Sequence, residues 1–110
     1  MYVRISIVRP IPSEHAQVTQ VLGDLTEFLA SQEGYLGGLK LESEDRQMRA
    51  WPAGFPTGLL GRVTLWESEA AADRSSETET VVSLRTRLNS LAVDHQEYAF
   101  YGTDMPATSA

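Results

Sequence analysis

The chain has 110 residues, 42% hydrophobic and 22% charged, a length and composition that provide for one globular core and leave no room for a second domain. Nine basic residues against fifteen acidic ones give a net charge of −6, which repels phosphate backbones and anionic lipid, so neither nucleic acid nor a membrane is expected as a partner. With no cysteine, disulfides, thiolate metal sites, iron–sulfur clusters and cysteine nucleophiles drop out by inventory.

Residues 2–9 (YVRISIVR) alternate, with Val3, Ile5 and Ile7 on one face and Tyr2, Arg4, Ser6 and Val8 on the other, the period of a strand. Arg4 and Arg9 interrupt it, leaving no apolar run long enough for a signal peptide or a membrane span, and a cytoplasmic location is expected. Pro10 and Pro12 end the strand. Ser13 is positioned to cap a helix of about eighteen residues, in which Val18, Val21, Leu22, Leu25, Phe28 and Leu29 recur at three- and four-residue steps on one stripe. His15, in its first turn, is expected to face solvent.

After Glu33 and Gly34, residues 35–44 (YLGGLKLESE) resume strand character, and Gly37 and Gly38 predict a bulge or a close backbone approach. Residues 45–58 read as a loop containing Trp51 and Phe55, expected either to cover a pocket or to pack on a partner. A further strand spans 59–67. Ser68 starts a short helical turn, and Ser76 with Glu79 fits a capping box for a second long helix, whose buried stripe is Val81, Leu84, Leu88 and Leu91. Residues 96–102 make the last strand. Residues 1–102 are thus one domain, and 103–110 are expected to form a loose tail.

Strand, helix, strand, strand, helix, strand is the order of a ferredoxin-like α+β fold with an antiparallel sheet, first and third strands in the middle and both helices on one side. Such a sheet leaves its other face bare. Whether that face carries Val3, Ile5, Ile7, Val63 and Leu65 or their neighbours stays open in the sequence; either way a homodimer packed sheet to sheet is expected.

Two stretches, QEGYLGG (32–38) and GRVTLWES (61–68) running into EAAAD (69–73), make the chain resemble the antibiotic-biosynthesis-monooxygenase-like (ABM-like) proteins of the dimeric α/β-barrel superfamily. The resemblance covers nearly all of the chain, to about residue 102. It implies a cavity between helices and sheet. In the quinone-forming monooxygenases it implies chemistry without metal or flavin, since a deprotonated electron-rich phenol reduces oxygen itself. Trp66 matches the family tryptophan at the end of the third strand. Arg62 stands where those monooxygenases use asparagine, and Ala72 where they use tyrosine. Ser76 stands where the family's haem degraders carry their histidine ligand, and the first strand lacks the asparagine those enzymes use. No cofactor is expected.

Arg62 invites two readings: a salt bridge to Glu42, Glu44 or Glu97, or an anion site for a phenolate or carboxylate. Trp66 is either a core aromatic closing the corner or a ring that stacks on a flat substrate. His95, beside Asp94, is a surface histidine or a base that takes the phenolic proton. Arg62, Trp66 and His95 are thus the candidates for chemistry, and Arg4, Ser6, Thr64 and Tyr98 for contact with a small aromatic substrate. His15 and His95 lack the spacing of a metal site, so no metal is expected, and no Gly-x-Ser-x-Gly elbow or phosphate loop is present. The readings that follow are a cofactor-independent oxygenase of phenols or quinols, a non-catalytic small-molecule-binding dimer, and an isomerase or lyase.

Overall fold

The computed structural model describes residues 1–44 and 57–104. Four strands, β1 (Tyr2–Pro10), β2 (Tyr35–Glu42), β3 (Leu60–Trp66) and β4 (Ala92–Tyr101), form one sheet in the order β2-β3-β1-β4, every neighbouring pair antiparallel. Helix α1 (His15–Ala30) connects β1 to β2; α2 (Glu69–Ser76) and α3 (Glu79–Ser90) connect β3 to β4. This is the expected ferredoxin-like α+β fold, with β1 and β3 in the centre. Trp51, Phe55 and residues 105–110 lie outside the described residues, and Thr103 and Asp104 have no regular structure.

The core forms where the apolar stripe of α1 (Val18, Val21, Leu22, Leu25, Leu29) meets Val81 and Leu88 of α3, Ala71 and Ala72 of α2, and Tyr2, Val8, Leu60 and Trp66 of the sheet. Phe28, Leu84 and Leu91 pack at its margin. The face question is thereby answered: Tyr2, Ser6 and Val8 are buried beneath the helices, and Val3, Ile5 and Ile7 lie on the outer face.

Three boundaries differ from expectation. Ser13 does not cap α1; Pro12 opens a 3₁₀ turn through Glu14, and α1 starts at His15 without a side-chain cap. Ser76 is not a cap either, because it is the last residue of α2. The helix after it is capped by Thr78, whose extended backbone lets its hydroxyl accept from the Val81 amide at 3.4 Å. β4 begins at Ala92, so His95 lies within the strand and does not precede it.

Glycine is required at two points of the chain. Gly34 has φ +86°, and a Cβ there would lie 2.5 Å from the Ala71 Cβ, so only glycine lets the chain pass α2. The expected bulge is present between Tyr35 and Gly37, and at Gly38 a Cβ would sit 2.6 Å from the Val63 carbonyl oxygen, the close approach read from the sequence.

Candidate functional site

Strand alternation under the helices would ordinarily point apolar side chains inward. Here the two central strands do the reverse over their middle. Cross-strand register sets Arg4 opposite Thr64, Ser6 opposite Arg62 and Tyr2 opposite Trp66, all on the helix side, and continues on β4 with Ser6 opposite Glu97 and Arg4 opposite Ala99. The helices cannot close over this polar patch. A cavity of about 300 Å³ remains, walled by these residues, by Leu29 of α1, Ala72 and Ser76 of α2, and Val81 and Arg85 of α3. That volume is at the lower end of small-molecule sites.

The three arginines on its wall differ in how they are satisfied. Arg4 stacks over the Tyr2 ring at 5.4 Å, donates from Nη1 to the Ser76 hydroxyl at 3.1 Å, and pairs through Nη2 with Asp73. Burial alone would lower its pKa, but Tyr2 and Asp73 outweigh this and raise it. Arg62 has no such partners. It is 9% exposed, its Nε is buried without a hydrogen-bond acceptor, and the ion pairs among the described residues, Arg4–Asp73 and His95–Glu97, do not include it. Burial pushes its pKa down; nearby Glu97 opposes this, while Arg85 and Arg4 add to it. Of the two readings of Arg62, the salt bridge is therefore absent.

Glu97 is the acid of the wall. The Ser6 hydroxyl donates to its Oε1 at 3.3 Å, and His95 Nε2 lies 3.5 Å from the same oxygen. His95 holds the carboxyl down, Arg85 and Arg62 assist against the opposing effect of burial, and its pKa falls to about 2. His95 itself does not reach the cavity. It pairs across from Val8, one step beyond Glu97 on the same face, with its Nδ1 held 2.7 Å from Asn89 Oδ1 on α3. His95 is not among the residues that line the cavity and meets its wall through Glu97.

Trp66 is a core aromatic that also borders the cavity. It is 1% exposed, stands edge-on to Tyr35 at 5.5 Å, and its Nε1 donates to Thr64 Oγ1 at 2.9 Å, yet it also lines the cavity. Thr64 is thereby fixed, with its own proton still to donate. Tyr98 borders the cavity but is set across from Ile5 on the outer face and is half exposed, so it contributes an edge and no inward side chain. His15 is exposed, as expected.

From the sequence Glu97 is expected only as a salt-bridge partner, and Arg85 carries no expectation. Both had a signal: Glu97 falls two residues before Ala99 on the inward alternation of β4, and Arg85 lies four residues after Val81 and three before Leu88, on the buried stripe of α3. Among the described residues no group of histidine, aspartate and glutamate is arranged to hold a metal ion, and no helix is long and apolar enough to cross a membrane.

Solved structures share this fold over nearly the whole chain. A variant of SnoaB, a cofactor-independent oxygenase from Streptomyces nogalater, superposes with a TM-score of 0.77 at 14% identity, covering 94% of each chain. A candidate antibiotic biosynthesis monooxygenase from Deinococcus radiodurans does so at 0.79 and 15%, covering 100% of both. The fold is that of the solved antibiotic biosynthesis monooxygenase structures. A further antibiotic biosynthesis monooxygenase matches at 0.76 and 16% identity over 94% of this chain and all of its own. No family model and no curated protein matches the sequence. Arg62, Ala72 and Ser76, where the resemblance implies asparagine, tyrosine and histidine, all line this cavity.

Proposed function

We propose that the protein binds a small, flat, anionic aromatic molecule in this cavity and acts as a cofactor-independent monooxygenase of a phenol or quinol. The observation that carries the reading is Arg62: a buried guanidinium with an orphaned Nε on the wall of an open cavity. An anion there would supply the missing acceptor. Trp66, held by Thr64 and Tyr35, offers a fixed aromatic surface, and the likeness in fold to an oxygenase that needs no cofactor supports the reaction class.

In that reaction a quinol and one O₂ give a hydroxyquinone and one water. One oxygen atom enters the ring, and the substrate supplies all four electrons. The protein's part is to hold the anionic substrate at Arg62 and to exclude bulk water beneath the helices.

Two copies of the chain would join by their outer faces. Leu39, Val63, Ile5 and Tyr98 form one apolar row across all four strands, with Leu65, Val3 and Phe100 in the next, and Leu39, Tyr98 and Phe100 are 66%, 48% and 52% exposed. A surface of this kind is normally covered.

Oxygen uptake with a panel of naphthalene and benzene quinols tests the activity. The reading requires uptake above autoxidation, with the hydroxyquinone as product, and its loss in Arg62→Met. Uptake no faster than in buffer would refute it and favour a non-catalytic binder. That second reading draws on the absence, at Arg62 and Ala72, of the asparagine and tyrosine of the ABM-like monooxygenases.

A further inference from the structure

Resting on the reading of the cavity as a binding site, the structure also bears on the chemical class of its ligand. An incoming neutral phenol would have to lose its proton to become Arg62's counter-ion, and among the described residues no carboxylate or imidazole free of other contacts lines the cavity beside Arg62. Glu97 is the one carboxylate that lines the cavity among the described residues, and it already accepts from Ser6 and lies against His95. Its pKa near 2 makes it a poor proton acceptor at neutral pH. His95 is screened from the cavity by Glu97 and tied to Asn89.

The remaining charged groups of the wall are donors. Arg62 has no acceptor for its Nε, Arg85 lines the same cavity and is felt electrostatically by both Arg62 and Glu97, and the Thr64 hydroxyl, already accepting from Trp66, has its proton left to give. Counting formal charge on the wall, three guanidiniums (Arg4, Arg62, Arg85) face Glu97 and Arg4's own partner Asp73, an excess of one positive charge in a chain whose net charge is −6. One phenolate oxygen would engage one fork. Two oxygens on one carbon match the planar fork of an arginine and leave lone pairs for a second donor.

We infer that the ligand enters already ionised, as a flat hydroxyaromatic carboxylate whose carboxylate is held by Arg62, with Arg85 and Thr64 as further donors, while its ring lies against Trp66. The carboxylate is a permanent anchor, distinct from any hydroxyl at which oxidation takes place.

Three probes test this by isothermal titration calorimetry: 1-hydroxy-2-naphthoate, its isosteric amide 1-hydroxy-2-naphthamide, and 1-naphthol, which lacks the substituent. The acid is expected to bind at least about tenfold more tightly than either neutral probe, a difference of about 1.4 kcal/mol, with an affinity that stays level between pH 6 and 9. Arg62→Met should remove that preference without weakening 1-naphthol, and Arg62→Lys should restore part of it; circular dichroism melting of each variant checks that it is folded. An amide or naphthol that bound as tightly as the acid would overturn the inference, as would unchanged binding of the acid to folded Arg62→Met. Naphthol binding that strengthened with pH, with no preference for the acid, would overturn this inference yet leave the phenolate reading standing. Failure of all three probes to bind would overturn both.

Discussion

Replacing Arg62 with methionine should make the empty protein more stable while removing its ligand affinity. A buried donor with no acceptor costs about 1–3 kcal/mol, and Arg62 Nε is such a donor in a residue 9% exposed. Methionine keeps most of the aliphatic stem and fits adaptably, at a packing cost below about 1.5 kcal/mol. The difference is a gain of about 1 kcal/mol, in line with exchanges of buried ionic groups for apolar ones. For a domain of this size 1 kcal/mol moves the melting temperature by about 4–8 °C. Differential scanning calorimetry of both proteins at one concentration and at pH 7 reads it directly. Were Arg62 instead half of a structural ion pair, its removal would cost about 3–5 kcal/mol. A fall in melting temperature would therefore refute the claim that Arg62 is held for a ligand.

Glu97 contributes stability through a pKa lowered from 4.5 to about 2, so the contribution is complete above pH 4.5 and disappears as pH drops through 2. At face value the displacement is worth about 3 kcal/mol, but the side chain is 48% exposed, and solvent screening reduces it to about 1 kcal/mol. Urea titrations should find Glu97→Gln less stable than wild type by that amount at pH 6, with the two curves converging towards pH 2; a constant gap would contradict the assignment. Gly34→Ala should cost more than about 2 kcal/mol, since it combines a positive φ with a Cβ 2.5 Å from Ala71, and a melting temperature within a degree of wild type would show that the turn relaxes freely. Ile5→Glu places a charge at the centre of the outer apolar rows and should yield monomer by sedimentation equilibrium where the wild type is a dimer. A wild type that sediments as a folded monomer at micromolar concentration would remove the basis for pairing the outer faces.

The order of elements and the central positions of β1 and β3 were readable because two-residue alternation and the α1 stripe are strong, regular signals. The face was not. Both faces of β1 alternate equally well, and hydropathy alone would have put Val3, Ile5 and Ile7 beneath the helices, whereas Arg4, Ser6, Arg62 and Thr64 are there instead. A polar patch under helices contradicts the usual rule, and the cavity is its consequence. The break between α2 and α3 is legible but falls two residues later than the sequence suggests, because Ser76 and Glu79 imitate a capping box; Thr78 wins since the hydroxyl of Ser76 is already taken up by Arg4 and by the Asp73 carbonyl. Arg62, Thr64 and Trp66 were found from one strand's alternation. Glu97 and Arg85 required knowing which faces of β4 and α3 look inward, and that depends on tertiary packing.

The central claim is that Arg62 waits, buried and unpaired, for an anion. The Nε–H resonance of Arg62, assigned by its absence from the spectrum of Arg62→Met, can be followed by ¹⁵N-edited nuclear magnetic resonance while 2-naphthoate is added. The account predicts a downfield displacement of that one resonance that saturates as the site fills, as the orphaned donor gains an acceptor. A resonance that stays in place while the acid binds, or one already in a hydrogen-bonded position before it is added, would contradict it.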